Sequence, residues 1–280
     1  MTEGLKYAFG ASSGEVSLTS DGSMLASSLD LRSSEWSYDL GTRSLQGATR
    51  KAVTRKAAVA FADPRACDET LARLDLDVSS MTPGTLVAEG GWSQRALVVA
   101  HSPQAMLSRG GCVASLTVAL LDGAWWRWLA PVELTVWDGS GQADAWLDYP
   151  HPYPHGYATG RRAESIDVPT LAPCAARLTL WGPCVGPSVT IGGNAYSLPR
   201  LTLGAGERCV LDGTTFCATR IGRDGTATDV TALAVREGGE GGGTYAFERV
   251  RPGTQAVLWD GSFGVTVELR EERGEPTWAR

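Results

Sequence analysis

Several groupings of residues in this chain have types and spacings that chemistry uses. Gly10-Ala-Ser12-Ser-Gly14 matches Gly-x-Ser-x-Gly, the turn that presents a nucleophilic serine between a strand and a helix. That chemistry needs a histidine in hydrogen-bond reach and a helix after the serine, whereas Glu15 to Thr19 reads as a short strand. A hydrolase resting on Ser12 is therefore the weakest reading. His151 and His155 stand four residues apart, which on a helix would align two imidazoles for a metal. Pro152 and Pro154 exclude that helix, so the pair reads as surface histidines. Glu237-Gly-Gly-Glu-Gly-Gly-Gly243 is glycine-rich, but without a lysine or a following helix it reads as a flexible hairpin tip and not a phosphate cradle. Acidic residues are numerous enough for a glycosidase pair, yet the carboxylate separation such a mechanism needs is not written in a sequence. Surface charge explains them better. No catalytic residue, cofactor or metal is expected.

Six cysteines at uneven spacing, behind an N-terminus with no apolar run of signal-peptide length, read as thiols in a reducing compartment. A hairpin centred on Asp212-Gly213 would set Cys209 and Cys217 opposite each other, so that one pairing stays open. The formal net charge of −6 and the shortness of the basic pairs Arg50-Lys51 and Arg55-Lys56 argue against nucleic-acid binding, which rests on neutralising several phosphates. Lysine and arginine there suit a solvated edge strand. Asp122, Arg127 and Glu133 interrupt the longest apolar region, Cys112 to Trp137, and no membrane span is expected.

The elements that would hold such residues are mostly strands. Ten tryptophans, many glycines and modest charge suit an all-β chain with many turns. Arg177 to Leu203 reads as a β-meander: Leu178/Leu180, Val189/Ile191, Tyr196/Leu198 and Leu201/Leu203 recur at period two between Gly-Pro and Gly-Gly-Asn turns. Trp36, Tyr38 and Leu40 share a strand face. Ala57, Val59 and Phe61 end a strand before Asp63-Pro64, a helix start. Cys67, Leu71, Leu74 and Val78 then make one apolar stripe. Strands resume over Thr85 to Ala88, Trp92 to Ala100 and Cys112 to Leu121. Later strands are expected at Thr226 to Val235, Thr244 to Val250, Ala256 to Trp259 and Phe263 to Arg270, the last two closed by a tight Asp260-Gly261 hairpin turn. The segment 137–145 is the best linker, and Tyr149-Pro-His-Pro-Tyr153-Pro-His-Gly-Tyr157 a stiff extended strap.

In Trp125-Trp126-Arg127-Trp128, Trp126 is expected to point one way while Trp125 and Trp128 meet solvent or another subunit. An exposed aromatic pair serves as an interface anchor or as a sugar platform, and core packing is the plain alternative.

One ordered set of motifs carries a resemblance. Leu180-Trp-Gly-Pro183, Gly186-Pro-x-Val189-x-Ile191-x-Gly193-x-x-Tyr196, Leu203 to Asp212, Arg251-Pro-Gly-Thr254 with Leu258-Trp259, and the closing Glu271-Glu-Arg-Gly-Glu-Pro-Thr-Trp278 resemble the C-terminal half of the distal tail proteins of long, non-contractile-tailed phages. The likeness covers residues 145 to 280 and is loose before them. Departures are Ala172 to Ala176 and Gly274, where serine is common.

The resemblance implies a mainly β fold of two β-sandwich domains. Residues 1–136 would form a ring-forming domain with one helix. Residues 137–280 would form a galectin-like, jelly-roll-like domain whose last residues pack back on the first. It implies a structural protein of the virion tail tip, assembled in the host bacterial cytoplasm as a homo-hexameric ring. Its partners would be the tail tube, the tail hub, the tape measure and receptor-binding proteins, with DNA only in transit through the lumen and no membrane. Interface candidates are Trp125, Trp126, Trp128, Tyr149, Tyr153, Tyr157 and Trp278. The alternative is a host-surface carbohydrate-binding module.

Overall fold

The structure, a computed structural model, describes residues 4–18, 24–27, 29–106, 111–136 and 162–277. The linker, the strap with His151 and His155, Tyr149, Tyr153, Tyr157 and Trp278 lie outside the described residues. Among the described residues the fold is mainly β, its strands antiparallel, with one α-helix, as the sequence leads one to expect. The chain forms two compact units, Met1–Arg127 with Glu272–Arg280, and Trp128–Glu271.

In the first unit the long strand Trp92–Met106 is the axis. Gly84–Ala88 lines one edge of its start, followed outward by Lys6–Ala8 and Glu15–Ser17. On its other edge lie Cys112–Leu120, then Val53–Phe61, then Met24–Ser27. The sequence suggested an end at Ala100, but the strand runs on through Pro103. Register shifts at Val98/Ala100 and Pro103/Ala105 leave Val99 and Gln104 out of the ladder, the second directly after the proline that cannot donate to it. Alternation works as expected elsewhere: Ala57, Val59 and Phe61 are buried, as are Ala114, Leu116, Val118 and Leu120.

The helix Pro64–Ser79 starts where the sequence says, with the Asp63 side chain accepting the Arg65 N–H at 3.0 Å. Cys67 and Leu74 enter the core and Leu71 packs against it. Residues 272–277 belong to this unit. Arg32 donates to the carbonyls of Pro276 and Thr277 at 3.3 and 3.2 Å, and the buried indole N–H of Trp92 donates to Thr277 Oγ1 at 3.3 Å. Gly274 lies so close to Ser34 that a Cβ there would force the serine aside.

The second unit is a sandwich with a single core between two sheets. One sheet runs Val132–Leu134, Gly264–Arg273, Ala175–Trp181, Arg208–Asp212, Cys217–Ile221, Ala227–Asp229. The other runs Arg162–Val168, Gly253–Trp259, Ser188–Ile191, Asn194–Ser197. The expected meander is thus divided: Leu178 and Leu180 line one sheet, Val189, Ile191 and Tyr196 the other, and all are buried. Asp260-Gly261 likewise carries the chain between sheets and does not close a hairpin, because the strands on either side of it belong to different layers. Trp259 and Phe263 are both buried at that crossing, and the indole N–H of Trp259 donates to the Phe263 carbonyl at 3.2 Å. Gly192 and Gly193, both with positive φ, do close a two-residue hairpin.

Residues 244–250 are not a strand. Only Val250 makes a bridge, to Cys174, while the Asn194 amide takes both the N–H and the carbonyl of Tyr245. That side chain replaces the missing ladder, so the glycine-rich segment before it is not a hairpin tip. Cys209 and Cys217 do not face each other either: the four-residue loop pairs Cys217 with Asp212 and Cys209 with Arg220.

Arg177 is the polar node of the first sheet. Cross-strand register sets it beside both Asp212 and Glu268, and its guanidinium reaches Asp212 at 3.0 Å and Glu268 at 4.0 Å. Burial alone would raise the Asp212 carboxyl, but hydrogen bonds from Thr214 and the Arg177 charge hold it below the usual carboxylate range. Glu207 is held low by Arg220 and the Gly204 N–H, and Asp224 and Asp229 by Thr226 and Thr231. A carboxyl depressed on folding contributes stability that is full above its unfolded pKa, about 4, and is lost as pH falls through the folded value. Thermal unfolding is therefore expected to show a flat Tm from neutral pH to about pH 5, then a fall toward pH 2. Asp212→Asn should lower Tm at neutral pH and shallow the acid fall. A slope unchanged by that substitution would count against the assignment.

Candidate functional site

The loop after Lys6–Ala8 is built around a carboxylate that the apolar stripe concealed. Asp77, on the inward face of the helix three residues after Leu74, is fully buried. It accepts the Tyr7 hydroxyl at 2.9 Å, the Gly10 N–H at 3.1 Å and the Ala11 N–H at 2.7 Å. Burial first, then the Asp77 carboxylate, push the Tyr7 hydroxyl well above its ordinary pKa, so it stays a donor. Gly10 and Gly84 allow this approach, since a Cβ on Gly10 would strike the carbonyls of Thr82 and Pro83 and one on Gly84 the Tyr7 ring.

This arrangement decides the chemistry of the Gly-x-Ser-x-Gly stretch. The Gly10 and Ala11 N–H groups that lead into Ser12 are held by Asp77, an internal acceptor. The chain after Gly14 enters the strand Glu15–Ser17, not a helix. His101, the histidine among the described residues, is paired with Asp75 at 3.3 Å. The loop holds two elements together, and its geometry offers no nucleophile–base pair among the described residues.

The aromatic run Trp125–Trp128 is placed differently from expectation. Trp125 is buried in the core of the first unit, which reverses its expected orientation. Residues three apart on a strand face opposite ways, so Trp125 and Trp128 could not both turn outward. Trp126 pairs in register with Ser93, is half-buried, and donates to Asp122 at 3.1 Å. The same Asp122 carboxylate accepts the Arg95 guanidinium at 2.7 Å. In the second unit Trp128 is half-buried, with the Arg177 guanidinium 4.1 Å from its ring centre.

A clustered run of exposed apolar side chains lies elsewhere, on the hairpin Ser37–Leu40 with Leu45–Thr49. It pairs with no other described strand. Tyr38, Leu40 and Leu45 are 58%, 71% and 58% exposed. Trp36 precedes them at the same spacing, with Arg50 4.2 Å from its ring centre. The sequence shows the shared face of Trp36, Tyr38 and Leu40 but not that it is left bare.

No family model matches the sequence, and no curated protein matches it. Solved structures do share its fold. The Dit protein of phage SPP1, described as a paradigm of the hub adsorption apparatus in phages infecting Gram-positive hosts, matches with a TM-score of 0.53 at 9% identity, over 96% of this chain and 99% of its own. Chains of the phage P2 baseplate in its activated conformation match with a TM-score of 0.56. One, with Ca, is 8% identical and the other, with Sr, 9%, each over 97% of this chain and 99% of theirs. The fold is therefore that of phage Dit and baseplate chains, over 96–97% of this chain.

Asp77→Ala would take the acceptor from the Gly10 and Ala11 N–H groups and leave the buried Tyr7 hydroxyl only the Ala96 carbonyl, at 3.3 Å. It should cost about 1–3 kcal/mol in chemical denaturation. Asp77→Asn, which keeps an acceptor oxygen, should cost less than half of that. Equal losses for the two variants would mean that the carboxylate fills space and does not organise the loop.

Proposed function

We propose that this chain is a structural subunit of a phage tail tip, a homo-hexameric ring that joins the tail tube to the tail hub and the receptor-binding apparatus. The observation that carries the reading is the likeness in fold to Dit and baseplate chains across both units, not in one module alone. The tape measure and DNA would pass through the lumen. The net charge of −6 suits passage without adhesion, since an acidic wall neutralises no phosphates. The subunit would be assembled in the host cytoplasm and end at the virion tail tip.

A ring subunit needs apolar surface that assembly covers, and the hairpin supplies it in Tyr38, Leu40 and Leu45. Trp126 and Trp128 are secondary candidates, each half-buried and already steadied by a charged neighbour. Tyr149, Tyr153, Tyr157 and Trp278 keep the same proposed role. Trp125 does not, being part of the core.

Light scattering on the purified chain should give the mass of six subunits, and negative-stain images should show rings. Replacing Tyr38, Leu40 and Leu45 together by serine should raise the concentration needed for assembly by at least about tenfold, with an unchanged circular dichroism spectrum. A chain that stays monomeric at high concentration and binds glycans on an array would replace this reading with the carbohydrate-binding one.

A further inference from the structure

Two of the cysteines, 45 positions apart in sequence, are brought to one place by strand register and the helix start. Cys112 opens the strand Cys112–Leu120 and stands opposite Phe61, the last residue of Val53–Phe61. Opposed residues on antiparallel strands project from the same face, and Phe61 points into the core. Cys112 also shares the parity of the buried Ala114, Leu116, Val118 and Leu120, so its side chain lies on the core side, the side the helix covers. The chain leaves Phe61 and within three residues begins the helix, whose first turn carries Cys67 on the buried face. Both residues belong to the same packed core, Cys67 as a buried member and Cys112 at its margin. Burial first, then the neighbouring Cys112 thiol, push the Cys67 thiol up to about 12.

We propose that Cys67 and Cys112 are an oxidative modification site, a dithiol that a small disulfide converts into a crosslink pinning the first helical turn to the end of the strand Cys112–Leu120. Burial sets the order of events. Cys112 is partly accessible and Cys67 is not. The Cys112 thiolate attacks one sulfur of oxidised glutathione, breaking its S–S bond and releasing one glutathione thiolate. Cys67, after losing its proton to solvent, attacks the Cys112 sulfur of the mixed disulfide and expels the second glutathione. Two protein thiols are oxidised and one glutathione disulfide is reduced to two thiols, with no further reagent needed. This inference stands on the first unit and is independent of the tail-tip reading.

The test uses the full chain, incubated with oxidised glutathione and read by intact mass and a non-reducing peptide map. The expected result is a peptide joining Cys67 to Cys112 and the loss of two hydrogens from the unmodified mass at that pair, with Tm raised. Because a thiolate attacks in both steps, closure should quicken as pH rises from 7 to 9. In Cys67→Ser, Cys112 should carry glutathione that persists, and the wild-type map decides the matter if that variant does not fold. A wild-type Cys112 that keeps its glutathione at pH 9 would overturn the proposal. So would a map in which exposed Cys217 alone reacts, or one in which Cys184 and Cys209 are joined while Cys67 and Cys112 stay reduced.

Discussion

A carboxylate cannot be buried without donors, and in the first unit that constraint reaches furthest. Asp77 sits on the face of the helix that must be apolar to cover the sheet, and it is tolerable there because Tyr7, Gly10 and Ala11 come to it. Those donors lie about seventy positions away in the chain, so satisfying one side chain fixes the N-terminal strand, its following loop and the last turns of the helix together. The two glycines at the approach follow from the same demand. What looks in the sequence like a nucleophile turn is a backbone shaped to present N–H groups to an internal anion.

The second unit sets a group of its charged side chains nearer the surface. Arg177 lies between two acidic cross-strand neighbours and over an indole, while Asp212, Asp224 and Asp229 each cap the turn that follows them. Such half-exposed pairs contribute little singly. Their consequence is local order: they settle turn geometry and hold the Trp128 ring in one orientation. A ring held this way suits a rigid contact better than an adaptable one.

Local signals were legible and non-local ones were not. Period-two burial from Val53 to Phe61 and from Phe263 to Leu269, the Asp63-Pro64 helix start and the Gly192-Gly193 turn all depend on neighbours a few residues away. Asp260-Gly261 shows the limit, because the same turn residues serve a hairpin or a step between layers, and only long-range pairing distinguishes them. The site was less legible than the fold. Asp77 stood on the apolar stripe in plain view, yet nothing near it in sequence named its donors. The bare face of Trp36, Tyr38 and Leu40 was visible as a face, but its exposure depends on what does not cover it. The orientation of Trp125 turned on the parity of one strand, and the meeting of Cys67 with Cys112 on a register that only the folded sheet sets.

The order of the two units along the chain bears on synthesis. Residues 272–277 are made after all of residues 128–271, so the first unit cannot be completed until the second has been synthesised. Until then Arg32 has no Pro276 or Thr277 carbonyl to meet, and the Trp92 indole N–H has no Thr277 hydroxyl. Translation therefore completes the first unit, which carries the bare hairpin, only after the second unit has been made.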